Sequence, residues 1–293
     1  MAGPVEKSVF TQDHDPRLKR LSLALPTLAK KLILQKYDLT QPENMSFFID
    51  PDGTLQHAPD WHQWGIITHT RQFAAAMQNE VPGLLSEWGI LNGVGEHLTK
   101  KIGTESKKTL LDFAVLLHDI GKFTSRTQTI KPDGKVRNRF DDHEKASGQI
   151  IRNPDFSQIL KTEYNLTPEQ IEYIAKNAEL HFQLGIVRQG VKKTTGGYNL
   201  EFAEGSNQNQ EMQEVIQKSS GHTVELGLLF LADSLAKTDI RISANTDEEI
   251  ASQQLTISEV LKQRHLNPRL LSAVNQLPVN IAVARTYLMQ LLG

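Results

Sequence analysis

The stretch LLHDIGK, residues 116–122, joins the end of an apolar helix to an adjacent histidine, aspartate and glycine. The helix before it, over residues 110–117, carries apolar side chains on nearly all sides, so we expect its end to lie inside the protein. A carboxylate buried there, at Asp119, needs an ion pair, hydrogen bonds or a metal ion to offset its lost hydration. The stretch therefore predicts a helical core with a polar site at the end of one helix.

Composition limits the class of protein. The chain has 293 residues, enough to bury a substantial core, and its 34 acidic and 32 basic residues give a net charge of -2. This is not the global charge of a nucleic-acid-binding protein. No apolar run approaches the ~20 residues of a membrane span, and the first ten residues lack the apolar core of a signal peptide. We therefore expect a cytoplasmic protein without a membrane partner.

Two further histidines fall on apolar helix faces. His69 shares a face with Phe73 and Met77, and His181 continues the apolar stripe of a helix whose start is marked by a capping box at Thr167–Gln170. A single histidine in such a place is more often a core residue than a ligand. The chain has no cysteine, however, so histidine and carboxylate side chains are the only ligands available to a transition metal.

The other candidates lie at the start and in the middle of helices. His143 follows Asp141 and Asp142, either of which suits the N-cap position, so His143 belongs to the first turn of its helix. Asp233 lies in a strongly apolar helix, where an unpaired carboxylate is costly. Pairing with Lys237, one turn later, explains Asp233 without a metal ion.

One shared centre explains these residues better than independent structural accidents. Imidazole and carboxylate together are the ligand set of zinc, manganese, iron, cobalt and nickel. Four ligands suit one metal ion, and six, with an aspartate able to bridge, suit two. The predicted ligands are His69, His118, Asp119, His143, His181 and Asp233.

A basic loop follows the LLHDIGK stretch, over residues 123–140, with a turn predicted at residues 132–134. The loop is either a solvated surface hairpin or a rim that receives phosphate. Its cations are Arg126, Lys131, Lys135, Arg137 and Arg139.

The order His69, His118–Asp119, Asp233 resembles the HD-domain superfamily of metal-dependent phosphohydrolases, over just more than half of the chain. LLHDIGK is a highly specific form of the family's signature, and LADSLAK is a typical setting for the last aspartate. The resemblance makes these four residues the ligands of a first metal ion. His143 and His181 match the additional histidines of members with larger or two-metal sites.

A closer resemblance is to the HD region of bacterial CCA-adding tRNA nucleotidyltransferases, in the stretches PDWHQWGIITHT, LLHDIGK and RFDDHEKAS. The chain has no room for the nucleotidyltransferase head before His69, so nucleotidyl transfer is not implied. Transfer RNA is accordingly in doubt as a partner. The near-neutral net charge does not favour other nucleic acids, although a local basic patch stays possible.

The resemblance implies an all-α fold, an HD-domain helical bundle with small β-hairpin insertions and additional N- and C-terminal helices. We expect an N-terminal helical extension at 1–58, the HD domain at 59–245 and C-terminal helices at 246–293 that pack on it. Within the HD domain, residues 185–221 read as an insertion, with a hairpin over 190–202.

The function implied is that of a phosphatase or phosphodiesterase that acts on a nucleotide-like phosphate ester through a metal-activated water. One or two divalent ions, drawn from Mn, Fe, Co, Ni, Zn and Mg, serve as cofactors. Two alternatives stay open: a regulatory module that binds metal or nucleotide without catalysis, and a helical scaffold with structural histidines. A homo-oligomer is compatible with either.

In the enzyme hypothesis, Asp119 coordinates metal and orients the nucleophile. Lys122 is the second catalytic residue, and Arg126, Arg139 and Lys237 bind the phosphate of the substrate. For Lys122, the alternative is a helix-end cation that interacts with the helix dipole.

Overall fold

The computed structural model describes residues 10, 15–130, 132, 134, 136–187, 207–241 and 247–292. The hairpin predicted over 190–202 and the cations Lys131 and Lys135 lie outside the described residues.

The described part of the chain is built from α-helices, which confirms the all-α class. The helices are α1 Pro16–Lys36, α2 Pro42–Ile49, α3 Ile66–Asn79, α4 Val81–Glu87, α5 Leu91–Thr99, α6 Lys107–Leu117, α7 Lys122–Ser125, α8 His143–Arg152, α9 Pro154–Tyr164, α10 Pro168–Leu180, α11 Asn207–Lys218, α12 Thr223–Ala236, α13 Asp247–Gln263 and α14 Leu271–Leu292. Two small antiparallel hairpins interrupt them, formed by β1 Lys101–Ile102 with β2 Glu105–Ser106, and by β3 Thr127–Ile130 with β4 Val136–Arg139. Among the described residues, no helix combines the length and apolar composition that a membrane crossing requires.

Helix α6 is apolar all round because two cores meet on it. Leu111 and Val115 belong to a core built with α3, α4, α12 and α14, whereas Leu110 and Phe113 belong to a second core with α1, α9 and α10. Helix α12 is buried along its whole length and packs against α3 and α14. The ends of α6 and α12 therefore lie inside the protein, as predicted for α6.

A capping box marks one helix start, and two prolines lie inside continuous helices. The capping box of Thr167 and Gln170 starts α10. Pro26 lies inside α1 without splitting it, and the carbonyl of Ser22, which loses its intrahelical partner there, accepts a hydrogen bond from Arg71 at 3.4 Å. Pro278 likewise lies within the continuous helix α14 rather than at a helix start.

The turn before α3 is compact. Residues 54–56 form a 3-10 helix, and both carboxylate oxygens of Asp52 bind Thr68 in the first turn of α3, at 2.7 Å from its backbone nitrogen and 2.6 Å from its hydroxyl. This capping fixes the start of the helix that carries His69.

Gly121 allows the turn after α6 to touch the start of α8. Its backbone N–H donates to the Ser147 hydroxyl at 2.9 Å, and that hydroxyl donates to the carbonyl of His143, also at 2.9 Å. A Cβ atom at residue 121 would lie 2.2 Å from the His143 carbonyl oxygen and 2.5 Å from the Ser147 nitrogen. The close approach sets the position of His143 relative to His118 and Asp119.

We expect Gly121→Ala to lower the free energy of unfolding by about 1–3 kcal/mol, because backbone atoms of α8 must move to admit the methyl group. Gly83→Ala in α4 is the matched control, since a Cβ atom there meets nothing within 4 Å. The control should be neutral or more stable by up to ~1 kcal/mol, from helix propensity. Urea unfolding measures both, and equal stability of the Gly121→Ala variant and the wild type would contradict the packing described.

A second buried carboxylate, that of Glu225 in α12, ties together helices α5, α6 and α10. Its Oε1 accepts from His97 Nε2 at 2.7 Å, from Lys107 Nζ at 3.0 Å and from the Tyr173 hydroxyl at 2.5 Å. Burial alone raises the pKa of Glu225, but the His97 and Tyr173 hydrogen bonds and the charge of Lys107 lower it to about 2. The carboxylate is therefore ionised and paired in the folded protein at neutral pH.

The lowered pKa of Glu225 predicts a loss of stability in acid. Because the folded pKa lies below the unfolded value of about 4.3, the stabilisation is complete above that value and is lost as the pH falls towards 2. Urea unfolding from pH 6 to pH 2.5 should show the wild type losing roughly 1–3 kcal/mol more than Glu225→Gln, which lacks the titrating group. Parallel pH profiles for the two proteins would refute this role of Glu225.

Candidate metal centre

The six predicted ligands converge, although they come from five different parts of the fold. His118 follows the last residue of α6, and Asp119 lies in the turn after it. The other four are contributed by α3, by the first position of α8, by the residue after α10 and by α12: His69, His143, His181 and Asp233. All except His143 are buried.

One oxygen of Asp119 faces the ligands from α3 and α6. Asp119 Oδ2 lies 3.2 Å from His118 Nε2 and 3.8 Å from His69 Nε2. The same nitrogen of His69 lies 3.0 Å from Asp233 Oδ1. Together, these four residues form the first half of the site.

The other oxygen of Asp119 faces the two remaining histidines. Asp119 Oδ1 lies 3.3 Å from His143 Nε2 and 3.8 Å from His181 Nε2. The ligand atoms thus form two groups that could each hold a metal ion, one with His69 and His118 and one with His143 and His181, and Asp119 belongs to both.

Backbone carbonyls determine which nitrogen of each ring is free. The Nδ1 atoms of His118, His143 and His181 lie 2.7–2.8 Å from the carbonyl oxygens of residues three positions earlier, and Nδ1 of His69 lies 3.3 Å from the Ala236 oxygen. A carbonyl oxygen can only accept, so Nδ1 of each neutral ring carries the proton. In the neutral form of each ring, Nε2 therefore carries a lone pair. The Nε2 atoms of His118, His143 and His181 face Asp119, and that of His69 lies between Asp119 and Asp233.

This arrangement fits a cation better than hydrogen bonding. Lone pairs of neutral imidazoles and of a carboxylate repel each other unless a cation lies between them. His118 Nε2 and Asp119 Oδ1 are both buried without a hydrogen-bond partner among the described residues. Histidine nitrogen and carboxylate oxygen are suitable donors for a divalent transition metal, and the Nδ1–H to carbonyl contacts are the outer contacts that orient metal-bound histidines.

Burial and charge set the protonation states of the site. Burial lowers the pKa of His181 to about 3 and lowers that of His69, so both rings are neutral at pH 7. Burial alone raises the pKa of Asp119 and Asp233. The neighbouring His118 and Lys122 lower the pKa of Asp119, and Lys237 and His69 lower that of Asp233, in both cases to well below the usual value. Neutral rings and ionised carboxylates are the forms that bind metal.

Two lysines contact the carboxylates from the outside. Lys122 Nζ lies 2.6 Å from Asp119 Oδ2, and Lys237 Nζ lies 3.3 Å from Asp233 Oδ2. The pairing of Lys237 with Asp233 is the contact that the sequence offered as an alternative to a metal. Both are compatible, because Asp233 Oδ1 faces His69 while Oδ2 faces the lysine.

A cavity of about 510 Å³ opens beside the cluster. The ligands that line it are His143, His181 and Asp233. The cations that line it are Lys122, Arg137, Arg139 and Lys237. Trp61, Phe140 and Phe182 supply aromatic walls. The cavity therefore combines positive charge, aromatic surface and part of the candidate metal site.

The structure does not bring Arg126 into this cavity. Its guanidinium lies over the Phe47 ring, 4.0 Å from the centroid, and donates to Gln56 Oε1 at 2.6 Å and to the Glu43 carbonyl at 3.1 Å. The prediction that Arg126 binds substrate is therefore not supported by its position, because its donors are used in packing α2 against the turn after α7. Arg139 does line the cavity, with its side chain 53% exposed and paired with Asp141.

Two further histidines line the cavity, His57 and His62. The sequence offers no indication of His57, and it allows either a structural or a pocket-lining role for His62, with the structural role favoured. Their rings stack with centroids 3.8 Å apart, and the His62 ring lies edge-on to His69 at 4.5 Å. Burial lowers the pKa of both well below the usual value. Both residues precede α3 in irregular chain and carry no periodic signal, so only the density of histidines over residues 57–69 could have indicated them.

Comparison with known proteins gives one match. The HD domain family model covers residues 88–237, slightly more than half of the chain, and includes five of the six candidate ligands; His69 precedes the match. No curated protein and no solved structure matches the chain. With LLHDIGK at the centre of the converging ligands and the family model covering this region, the chain belongs to the HD domain family.

Proposed function

We propose that the protein is a metal-dependent phosphohydrolase, a phosphatase or phosphodiesterase, acting on a nucleotide-like phosphate ester. The observation that carries the proposal is the convergence of four imidazole Nε2 atoms on the buried carboxylate of Asp119, beside a cavity lined by cations. Ligands without a cavity would suggest a structural metal, and a basic cavity without ligands would suggest simple anion binding.

The ligand groups suit two divalent metal ions. His69, His118, Asp119 and Asp233 would hold one, and Asp119, His143 and His181 would hold the other. When bound, such ions polarise phosphoryl oxygens and lower the pKa of water, which generates a nucleophile at neutral pH.

The protein's own cations would hold the phosphate. Lys122 and Lys237 each place an ammonium group at the cavity wall beside a ligand carboxylate, where they can offset negative charge that develops on the phosphoryl oxygens. Arg139 would contact phosphate from the rim. We do not assign this role to Arg126, whose donors are used elsewhere.

The aromatic walls support a substrate that carries a base. Trp61, Phe140 and Phe182 offer ring faces or edges in the same cavity as the cations, and base stacking on aromatic side chains is worth about 1–3 kcal/mol per base. The proposal does not include nucleotidyl transfer, which the resemblance to the HD region of CCA-adding enzymes did not imply.

Metal stoichiometry tests the ligand assignment. After loading with Mn²⁺ and removal of free metal, elemental analysis should give about two ions per wild-type chain. Asp119→Asn should lose most of both, since Asp119 belongs to both groups, and His181→Ala should keep about one. The exposed His265 supplies the control, and His265→Asn should keep the wild-type content. Equal metal in the wild type and Asp119→Asn would refute the site.

Turnover tests the reaction. Metal-loaded protein should release phosphate or cleave a phosphodiester in a panel of mononucleotides, cyclic nucleotides and dinucleoside polyphosphates. Lys122→Met should lower kcat by roughly 10²–10³, the usual effect of removing one charge-stabilising donor. Lys36→Met, on the exposed face of α1, should leave kcat unchanged. Each of Mn, Co, Ni, Fe, Zn and Mg should be tried. If the protein then bound one compound tightly but hydrolysed none, the enzyme hypothesis would give way to that of a regulatory binding module.

A further inference from the structure

His57 is a fully buried histidine to which the proposed reaction assigns no role. It lies between the 3-10 helix at residues 54–56 and the start of α3, and it lines the cavity. Both ring nitrogens are engaged. Nδ1 is 3.1 Å from the carbonyl oxygen of Trp64, and Nε2 is 3.2 Å from Lys122 Nζ.

These two contacts specify where the proton of the His57 ring lies. The Trp64 carbonyl oxygen can only accept a hydrogen bond, so His57 Nδ1 carries the proton and donates. Nε2 then keeps its lone pair and accepts from the ammonium group of Lys122, which has donors only. His57 is therefore an acceptor for Lys122 and does not compete with it as a second cation.

The contact with His57 restricts the orientation of the Lys122 ammonium. Of its three N–H groups, one donates to Asp119 Oδ2 at 2.6 Å and one to His57 Nε2 at 3.2 Å. The third is left for a ligand in the cavity that Lys122 lines. A lysine side chain loses rotamer entropy when it is fixed, so ordering it before the substrate binds reduces the entropic cost of binding.

His57 is itself held in place from the side of the basic hairpin. The side-chain amide of Asn138, in β4, donates to the carbonyls of Leu55 at 2.7 Å and of His57 at 2.9 Å. Asn138 lies between Arg137 and Arg139, which line the cavity. Asn138 thus connects the strand that carries the cavity-lining arginines to His57, the residue that contacts Lys122.

We propose that His57 is a positioning residue that fixes the Lys122 ammonium for contact with the phosphate of the substrate. The inference rests on the proposed function, and it predicts that His57 acts through Lys122 rather than through the metal ligands.

A double-mutant cycle tests this coupling. His57→Phe keeps a ring against His62 but removes both nitrogens, whereas His57→Gln restores a side-chain acceptor. His57→Phe should lower kcat by about 10–100-fold, as loss of an outer supporting contact commonly does, and His57→Gln should recover part of that loss. In the Lys122→Met background, His57→Phe should cause no further loss. An equal loss in both backgrounds, or a loss of bound metal in His57→Phe, would overturn the proposal.

Two measurements that do not need turnover separate this inference from the proposed function. In the full-length, Zn²⁺-loaded wild type, ¹⁵N NMR of histidine should show His57 protonated at Nδ1 and bare at Nε2, with the Nε2 signal shifted in Lys122→Met. By calorimetry, His57→Phe should bind inorganic phosphate about tenfold more weakly than the wild type. A proton on Nε2, or unchanged phosphate affinity in a folded His57→Phe, would overturn the role of His57 whether or not any ester is hydrolysed.

Discussion

The structure depends on one buried carboxylate, that of Asp119, which faces four imidazole nitrogens as well as the ammonium of Lys122. Because the Nδ1 atom of each ring is directed at a backbone carbonyl, the Nε2 atoms that face Asp119 are acceptors when the rings are neutral. Lysine alone cannot satisfy this many acceptors, since its three N–H groups reach only one side of the carboxylate. The fold therefore concentrates lone pairs at a point where only cations can stabilise them.

The surrounding helices hold these histidine nitrogens in position around Asp119. His118 and His181 follow the ends of α6 and α10, and Nδ1 of each bonds the last turn of its own helix, so the helix end orients the ring. His143 opens α8, which is held against the turn after α6 by the close contact at Gly121. The apolar residues of α6 fix these ends within two cores. Hydrophobic packing thus supplies the rigidity that a preorganised ligand set requires.

The convergence of these residues could be predicted because most of them are polar residues in an apolar setting. His69 on the buried face of α3 and Asp233 within α12 are costly alone, and that cost is visible in the pattern. Arg126 shows the limit of such reasoning. Proximity in sequence to the motif suggested a phosphate ligand, but the direction of a loop side chain is set by distant partners, here Phe47 and Gln56. His57 was missed for the same reason, since its partner Lys122 lies 65 positions away.

The two halves of the site differ in their exposure to the cavity. His69 and His118, on the Oδ2 side of Asp119, have fully buried side chains. His143 and His181, on the Oδ1 side, both line the cavity, and the His143 side chain is 15% exposed. A phosphate entering past Arg139 would therefore meet the Oδ1 side first, with Lys122 at the cavity wall and bonded to Oδ2. In the proposed reaction, His69 and His118 would therefore hold Asp119 in place, while His143, His181 and Asp233, which line the cavity, would lie next to the substrate.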